Sequence, residues 1–299
     1  MAILADEQTK VLVQGITGRE AASFTKDMME YGTQVVAGVT PGKKGQSVYG
    51  VPVFDTVAQA MAYQPADAAI ISVPPLMVKE AALESLLNGI KLLVIVTERV
   101  PRKDTVELLE LARQTGATVI GPNTLGLISP GVVKLGMAGG PVADVKKAYM
   151  PGKVGIASRS GGMTTEIANL LTTNGIGQST CISVGGDPVV GSNFLDLVER
   201  FYKDPDTEAV VLFSEPGGVI EEKLAEWVQA EQVSMPIVTF IAGRFVDEMP
   251  GMRFGHAATI VEGEKGSTKS KIKVLERAGV KVAHAFSDIV TILRREYEV

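Results

Sequence analysis

Short apolar runs alternate with longer amphipathic stretches along most of the chain. VLVQGI (11–16), QVVAGV (34–39), AAIISV (68–73), LLVIV (92–96) and TVIG (118–121) are each followed by a more polar segment of helical length. The runs are continuous Val/Ile/Leu rather than strictly alternating, as in strands buried on both faces, so the pattern predicts a parallel sheet covered by helices. Between 126 and 152 glycine and proline accumulate and neither a period of 2 nor one of 3.6 persists, which reads as a linker. A second series then begins with VGIAS (154–158), CISVG (181–185), AVVLFSE (209–215), PIVTFIAG (236–243) and VKVAHAF (280–286), separated by helical stretches such as 193–203 and 219–231. The expected architecture is α/β throughout. A Rossmann-like doubly wound domain spans 1–125, the linker 126–152, and a flavodoxin-like doubly wound domain 153–299.

Composition agrees with two domains of ordinary size, since 299 residues with 45% hydrophobic and 21% charged positions are enough for two buried cores. The net charge of -5 argues against a broad nucleic-acid surface, which needs clustered Lys and Arg. One cysteine, Cys181, excludes an intrachain disulfide and a multi-cysteine metal site, and no metal ligands are assigned. The N-terminus lacks a basic segment followed by a long apolar run, and no stretch reaches the roughly 18 apolar residues that span a bilayer. A cytoplasmic protein is expected, mitochondrial only if a transit peptide has been removed.

Candidate chemistry clusters at strand ends. After the first run, Gln14-Gly15-Ile16-Thr17-Gly18-Arg19-Glu20-Ala21 is a glycine turn entering a helix, where backbone N–H groups favour an anion. The G-x-G-x-x-G spacing of dinucleotide sites is not met, so a plain strand-to-helix turn is the alternative. The second run ends in Thr40-Pro41-Gly42-Lys43-Lys44-Gly45, where lysines suit a phosphate and an NAD site would want a carboxylate. Ser158-Arg159-Ser160-Gly161-Gly162-Met163 offers a second helix-opening anion site, or simply an N-cap. Of the two histidines, His284 lies in an apolar run and reads as structural. His256 lies among small residues, in RFGHAA, and reads as a projecting nucleophile. Glu215, at a strand end before Pro216-Gly217-Gly218, can accept a ring N–H of His256 and fix its tautomer, or can be an acid favoured by a helix dipole. Asp187, in Gly185-Gly186-Asp187-Pro188, either positions a ligand or begins a turn.

Taken together and in order, VQGITGRE, VTPGKKG, GVPVFDTV, TERVP, GPNTLGLISPG, PGKVGIASRSGGMTTE, SVGGDPVVGSNFLD, DPDTEAVVLFSEPGG and RFGHAA resemble the α subunit of succinyl-CoA synthetase over essentially the whole chain. The resemblance implies a CoA-binding first domain, with Thr17, Gly18, Arg19 and Lys43 on CoA and Val96, Thr97 and Glu98 lining the same site. It implies phosphorylation of His256, with Glu215 as its partner. Ser158, Ser160, Gly161, Gly162 and Thr165 would receive phosphate and the acid. Acyl phosphate would form from the acid and phosphohistidine, and the CoA thiol would displace phosphate. The family's ATP or GTP, with Mg, binds a separate β subunit of ATP-grasp fold in an αβ or α2β2 complex.

The chain departs from the family pattern where the acid binds. SRSGTLTYE reads SRSGGMTTE, so Gly162 replaces Thr and Thr165 replaces Tyr, and SRSGGM resembles ATP-citrate lyase. GHAGA reads GHAAT, GEIGG reads SEPGG, TEGIP reads TERVP, and Thr124 stands where cysteine is usual. Succinate or a related dicarboxylic acid is the expected substrate, with citrate or malate, a tricarboxylic or substituted acid, as alternatives that the missing side chain at Gly162 would admit. A CoA-binding regulator without turnover is a further alternative, as is an NADP-dependent oxidoreductase.

Overall fold

A computed structural model describes residues 2–248, 256 and 266–296. The first half runs β1 (Lys10–Gln14), α1 (Arg19–Tyr31), β2 (Gln34–Val39), β3 (Ser47–Val48), β4 (Val51–Phe54), α2 (Val57–Tyr63), β5 (Ala68–Ile71), α3 (Val78–Leu87), β6 (Leu92–Ile95), α4 (Arg102–Thr115) and β7 (Thr118–Ile120). Its sheet has the order β3-β4-β2-β1-β5-β6-β7. All neighbours are parallel except the β3–β4 hairpin. Every residue of β5 and β6 is buried, as continuous apolar runs require when helices cover both faces. Without the hairpin edge this is the Rossmann order, and the winding reverses between β1 and β5.

The second half runs β8 (Gly126–Ser129), β9 (Val133–Gly136), α5 (Val142–Ala148), β10 (Pro151–Ser158), α6 (Gly161–Thr173), β11 (Gln178–Ser183), α7 (Phe194–Lys203), β12 (Ala209–Ser214), α8 (Ile220–Ala230), β13 (Ile237–Ile241), α9 (Thr268–Arg277), β14 (Lys281–Ala283) and α10 (Asp288–Glu296). The order is β14-β13-β12-β10-β11-β8-β9. The five parallel strands β10 to β14 have the flavodoxin order, with the reversal between β10 and β12. No helix among the described residues is long and apolar enough to cross a membrane.

The stretch 126–152, expected as a linker, instead supplies β8, β9, α5 and the first residues of β10 to the second half. β8 pairs antiparallel with β11, and β9 antiparallel with β8, and both strands are buried at every residue. Its glycines reflect close backbone packing rather than freedom. Gly126 has φ 91°, and a Cβ there would fall 1.9 Å from the Leu135 carbonyl oxygen. The same strands join the two halves. Thr33, just past α1, donates from Oγ1 to the Lys134 carbonyl at 2.7 Å and accepts the Lys134 N–H at 3.2 Å. Phe24 and Met28 of α1 share one apolar cluster with Leu127, Val133 and Leu135.

Candidate active site

The carboxyl ends of the two sheets face one cleft of about 690 Å³. The first sheet contributes the turn after β1, the Ser72–Pro75 stretch after β5 and Val96–Glu98 after β6; the second contributes Ser160–Gly162 and His256, with Asn123–Leu125 between them. Open α/β sheets bind ligands where the winding reverses, and here both reversal points, β1/β5 and β10/β12, open on the same space.

In the first half, Gly15 has φ 81°, and a Cβ there would stand 2.1 Å from the Ser72 carbonyl oxygen, so only glycine lets the turns after β1 and β5 approach this closely. The chain then enters α1, whose N-cap Gly18 has no side-chain cap, leaving the first turn's amides and the helix dipole directed at the cleft. Thr17 Oγ1 lies 3.2 Å from Thr40 Oγ1, and Thr97 Oγ1 donates to the Val73 carbonyl at 2.8 Å, tying the β5 and β6 loops together. Beyond β2, Asp55 Oδ1 accepts the backbone N–H groups of Gly42, Lys43 and Lys44 at 2.8, 3.1 and 3.2 Å. One carboxylate thus holds the turn that presents both lysines to solvent.

In the second half, Ser160 caps α6 by accepting the Met163 N–H, and the fully buried Ser158 donates to the Ser160 carbonyl at 2.6 Å while accepting its N–H at 3.2 Å. A Cβ at Gly161 would strike Leu125 at 2.3 Å, whereas one at Gly162 would meet nothing within 4 Å, so Gly162 faces open space.

Glu215 follows β12, and its Oε2 lies 2.8 Å from Nδ1 of His256. Gly186 lies against the other edge of the imidazole, where a Cβ would fall 2.5 Å from Cδ2 and 2.8 Å from Nε2. The hydrogen bond to Glu215 raises the His256 pKa above its ordinary 6.5; burial opposes the rise, the Glu215 charge adds to it, the Arg159 guanidinium opposes it and Asp187 adds to it. Arg159 is buried, which lowers its own pKa, and its Nη2 donates to the Asp187 carbonyl at 3.1 Å. Asp187 in turn accepts the Asn123 side-chain amide at 3.1 Å. A neutral imidazole donating through Nδ1 keeps its lone pair on Nε2, which is the form a nucleophile needs.

The structure therefore brings Gly18, Arg19, Val96, Thr97, Glu98, Ser160, Gly161, Gly162 and His256 to one cavity, with Glu215 behind the histidine. Ser158 supports Ser160 from underneath. Thr17 and Lys43 stand outside the lining, Lys43 on an exposed turn. Thr165 is not brought to the cavity: on the second turn of α6 it faces α5, and its Oγ1 lies 2.9 Å from the Tyr149 hydroxyl. Residues 251–255, 257 and 258, read from sequence as a loop of small residues around His256, lie outside the described residues. Asn123 and Arg159 were not singled out from sequence, although both lie in the motifs GPNTLG and SRSGG; nothing local tells that they meet Asp187.

The family model described as CoA binding domain matches residues 6–99, and that described as CoA-ligase matches 157–281. The succinate–CoA ligase [ADP-forming] subunit alpha of Methanothermobacter thermautotrophicus is 46% identical over 297 residues, 99% of this chain and 98% of its own. The chain belongs to the succinate–CoA ligase α-subunit family. Another relative of this CoA-ligase family, the ADP-forming sulfoacetate-CoA ligase subunit SauD of Bilophila wadsworthia, is 41% identical over 294 residues, 98% of this chain and 99% of its own. Among solved structures, ATP citrate lyase from Methanothrix soehngenii in complex with citrate and coenzyme A matches with a TM-score of 0.92 and 26% identity over 99% of this chain, which spans 50% of that longer one.

Proposed function

We propose that this chain is the phosphohistidine-carrying α subunit of a ligase that joins CoA to a small acid bearing a second anionic group, with succinate as the leading substrate. The observation that carries the reading is the His256 Nδ1 to Glu215 Oε2 contact at 2.8 Å, in a cleft shared by both reversal points. CoA is assigned to the first half, through Thr17, Gly18, Arg19 and Lys43 with Val96, Thr97 and Glu98, and the acid to Ser160, Gly161 and Gly162. The relatives named for succinate and for sulfoacetate carry in their names acids with a carboxylate and a second anionic group, and an anion of that kind suits the α6 N-terminus at Ser160–Gly162.

In the forward direction Nε2 attacks the γ-phosphorus of a nucleoside triphosphate that a β subunit would hold with Mg; the N–P bond forms as the bond from the γ-phosphorus to the bridging oxygen breaks, and the nucleoside diphosphate leaves with that oxygen. Glu215 stabilises the charge that develops on the ring. The acid's carboxylate then takes the phosphoryl group as the N–P bond breaks, giving acyl phosphate and restoring neutral His256. Finally the thiolate sulfur of CoA attacks the acyl carbon, the C–O bond to phosphate breaks, and inorganic phosphate leaves with that oxygen. The thiol proton passes to solvent. This chemistry is assigned to the cytoplasm.

The test is co-expression with the β-subunit partner followed by incubation with γ-labelled ATP or GTP. An acid-labile, base-stable label on this chain is expected, discharged by CoA with succinate in preference to sulfoacetate, malate or citrate. Label that survives His256→Asn would overturn the assignment.

A further inference from the structure

Beneath the histidine lies an ion pair that the proposed reaction does not use. The side chains of Lys271 on α9 and Glu221 on α8 are only 1% and 5% exposed, with Nζ 2.5 Å from Oε2. The same ammonium donates to the backbone carbonyls of Glu215 and Gly217, at 3.0 and 2.6 Å. The other carboxylate oxygen of Glu221 accepts the hydroxyl of Ser214. The three donors of one lysine are therefore spent on the carboxylate and on two carbonyls either side of Pro216. The Gly217 N–H is tied to the Gly266 carbonyl at 2.8 Å, one residue before the α9 cap. The chain is gripped at 214, 215 and 217, immediately around the residue whose carboxylate meets His256.

A buried pair of this kind adds little net stability, because desolvation offsets the attraction, and apolar groups of similar volume serve packing as well. Its fixed geometry is the property that apolar groups cannot supply. We propose that Lys271 and Glu221 are positioning residues that hold the Glu215 carboxylate at hydrogen-bonding distance from Nδ1 of His256. The inference rests on reading His256–Glu215 as the working pair, but its test reads the imidazole directly and does not depend on phosphorylation.

The charged groups that act on His256 among the described residues are Glu215 after β12, Arg159 after β10 and Asp187 after β11. Removing the Lys271 charge would by itself favour imidazolium and raise the titration midpoint, whereas losing the position of Glu215 lowers it, so the two effects have opposite signs. The experiment is an NMR titration of the full-length chain labelled at histidine. His284→Gln identifies the His256 signals, and Glu215→Gln sets the full effect of losing the pair. In folded Lys271→Met the His256 midpoint is expected to fall by at least half of the Glu215→Gln decrease. Where that variant fails to melt cooperatively, Lys271→Met/Glu221→Leu replaces both charges and carries the same expectation. A smaller fall, no change or a rise in a folded variant overturns the proposal.

Discussion

At the scale of single residues the site depends on one imidazole held between a carboxylate and a glycine. Because the folded pKa of His256 is raised, mainly by Glu215, the neutral nucleophile is lost as pH falls through a value above 6.5. Phosphohistidine formation by the co-expressed complex should therefore show an inflection above 6.5, and in Glu215→Gln the inflection should move down while the plateau rate falls. The stability linkage has the opposite sense: the contribution of a group with a raised folded pKa is complete below the unfolded pKa and disappears as pH rises through the folded one. Melting curves of wild type and Glu215→Gln should accordingly differ more at pH 5.5 than at pH 9. Gly186 is a steric requirement of the same contact. Gly186→Ala places a methyl 2.5 Å from the ring, and should cost about 1–3 kcal/mol of stability in urea unfolding together with at least a tenfold loss of labelling.

Elements carry these residues by their ends. The turn between β2 and β3 carries backbone bonds of its own, Lys43 N–H to the Thr40 carbonyl and Gln46 N–H to the Lys43 carbonyl, and is held further by Asp55, whose one oxygen collects three amides. If Lys43 meets the 3′-phosphate of CoA, Asp55→Ala should raise the KM for CoA about threefold to tenfold, an effect of the size of one lost charge-assisted hydrogen bond, and leave the KM for dephospho-CoA nearly unchanged. Steady-state kinetics with both thiols checks this. The parallel strands were legible as continuous apolar runs, and α7 and α8 from their spacing, because burial on both faces leaves a local signature. β3, β4, β8 and β9 were not: β3 and β9 are short edge strands, and β4 and β8 join their sheets through β2 and β11, partners outside their own local stretch. A glycine that lets two backbones touch looks, in sequence, like a glycine that lets the chain bend.

Across the whole molecule the two halves are one packed body, since α1 and β9 share an apolar cluster and Thr33 bonds twice to Lys134. Calorimetry should show one cooperative transition rather than one for each half. CoA binding to the folded chain stabilises it by mass action, so a free concentration a hundred times Kd should add about 2.7 kcal/mol and move that single transition upward without splitting it. Two separating transitions on adding CoA would contradict the shared core. By itself the sequence determined the two doubly wound halves, the glycine turns that open helices after β1 and β10, and, through the ordered motifs of the family, the pairing of His256 with Glu215, because strand runs, helix starts and strand ends are written in local residue order. Only the tertiary structure decided that 126–152 holds β8, β9 and α5 rather than a linker, that Thr165 turns to Tyr149, and that Arg159 and Asn123 both meet Asp187. It alone also set Lys271 beneath Glu215. These facts depend on contacts between residues tens of positions apart, and such contacts are fixed by how sheets close on one another, which no local pattern encodes.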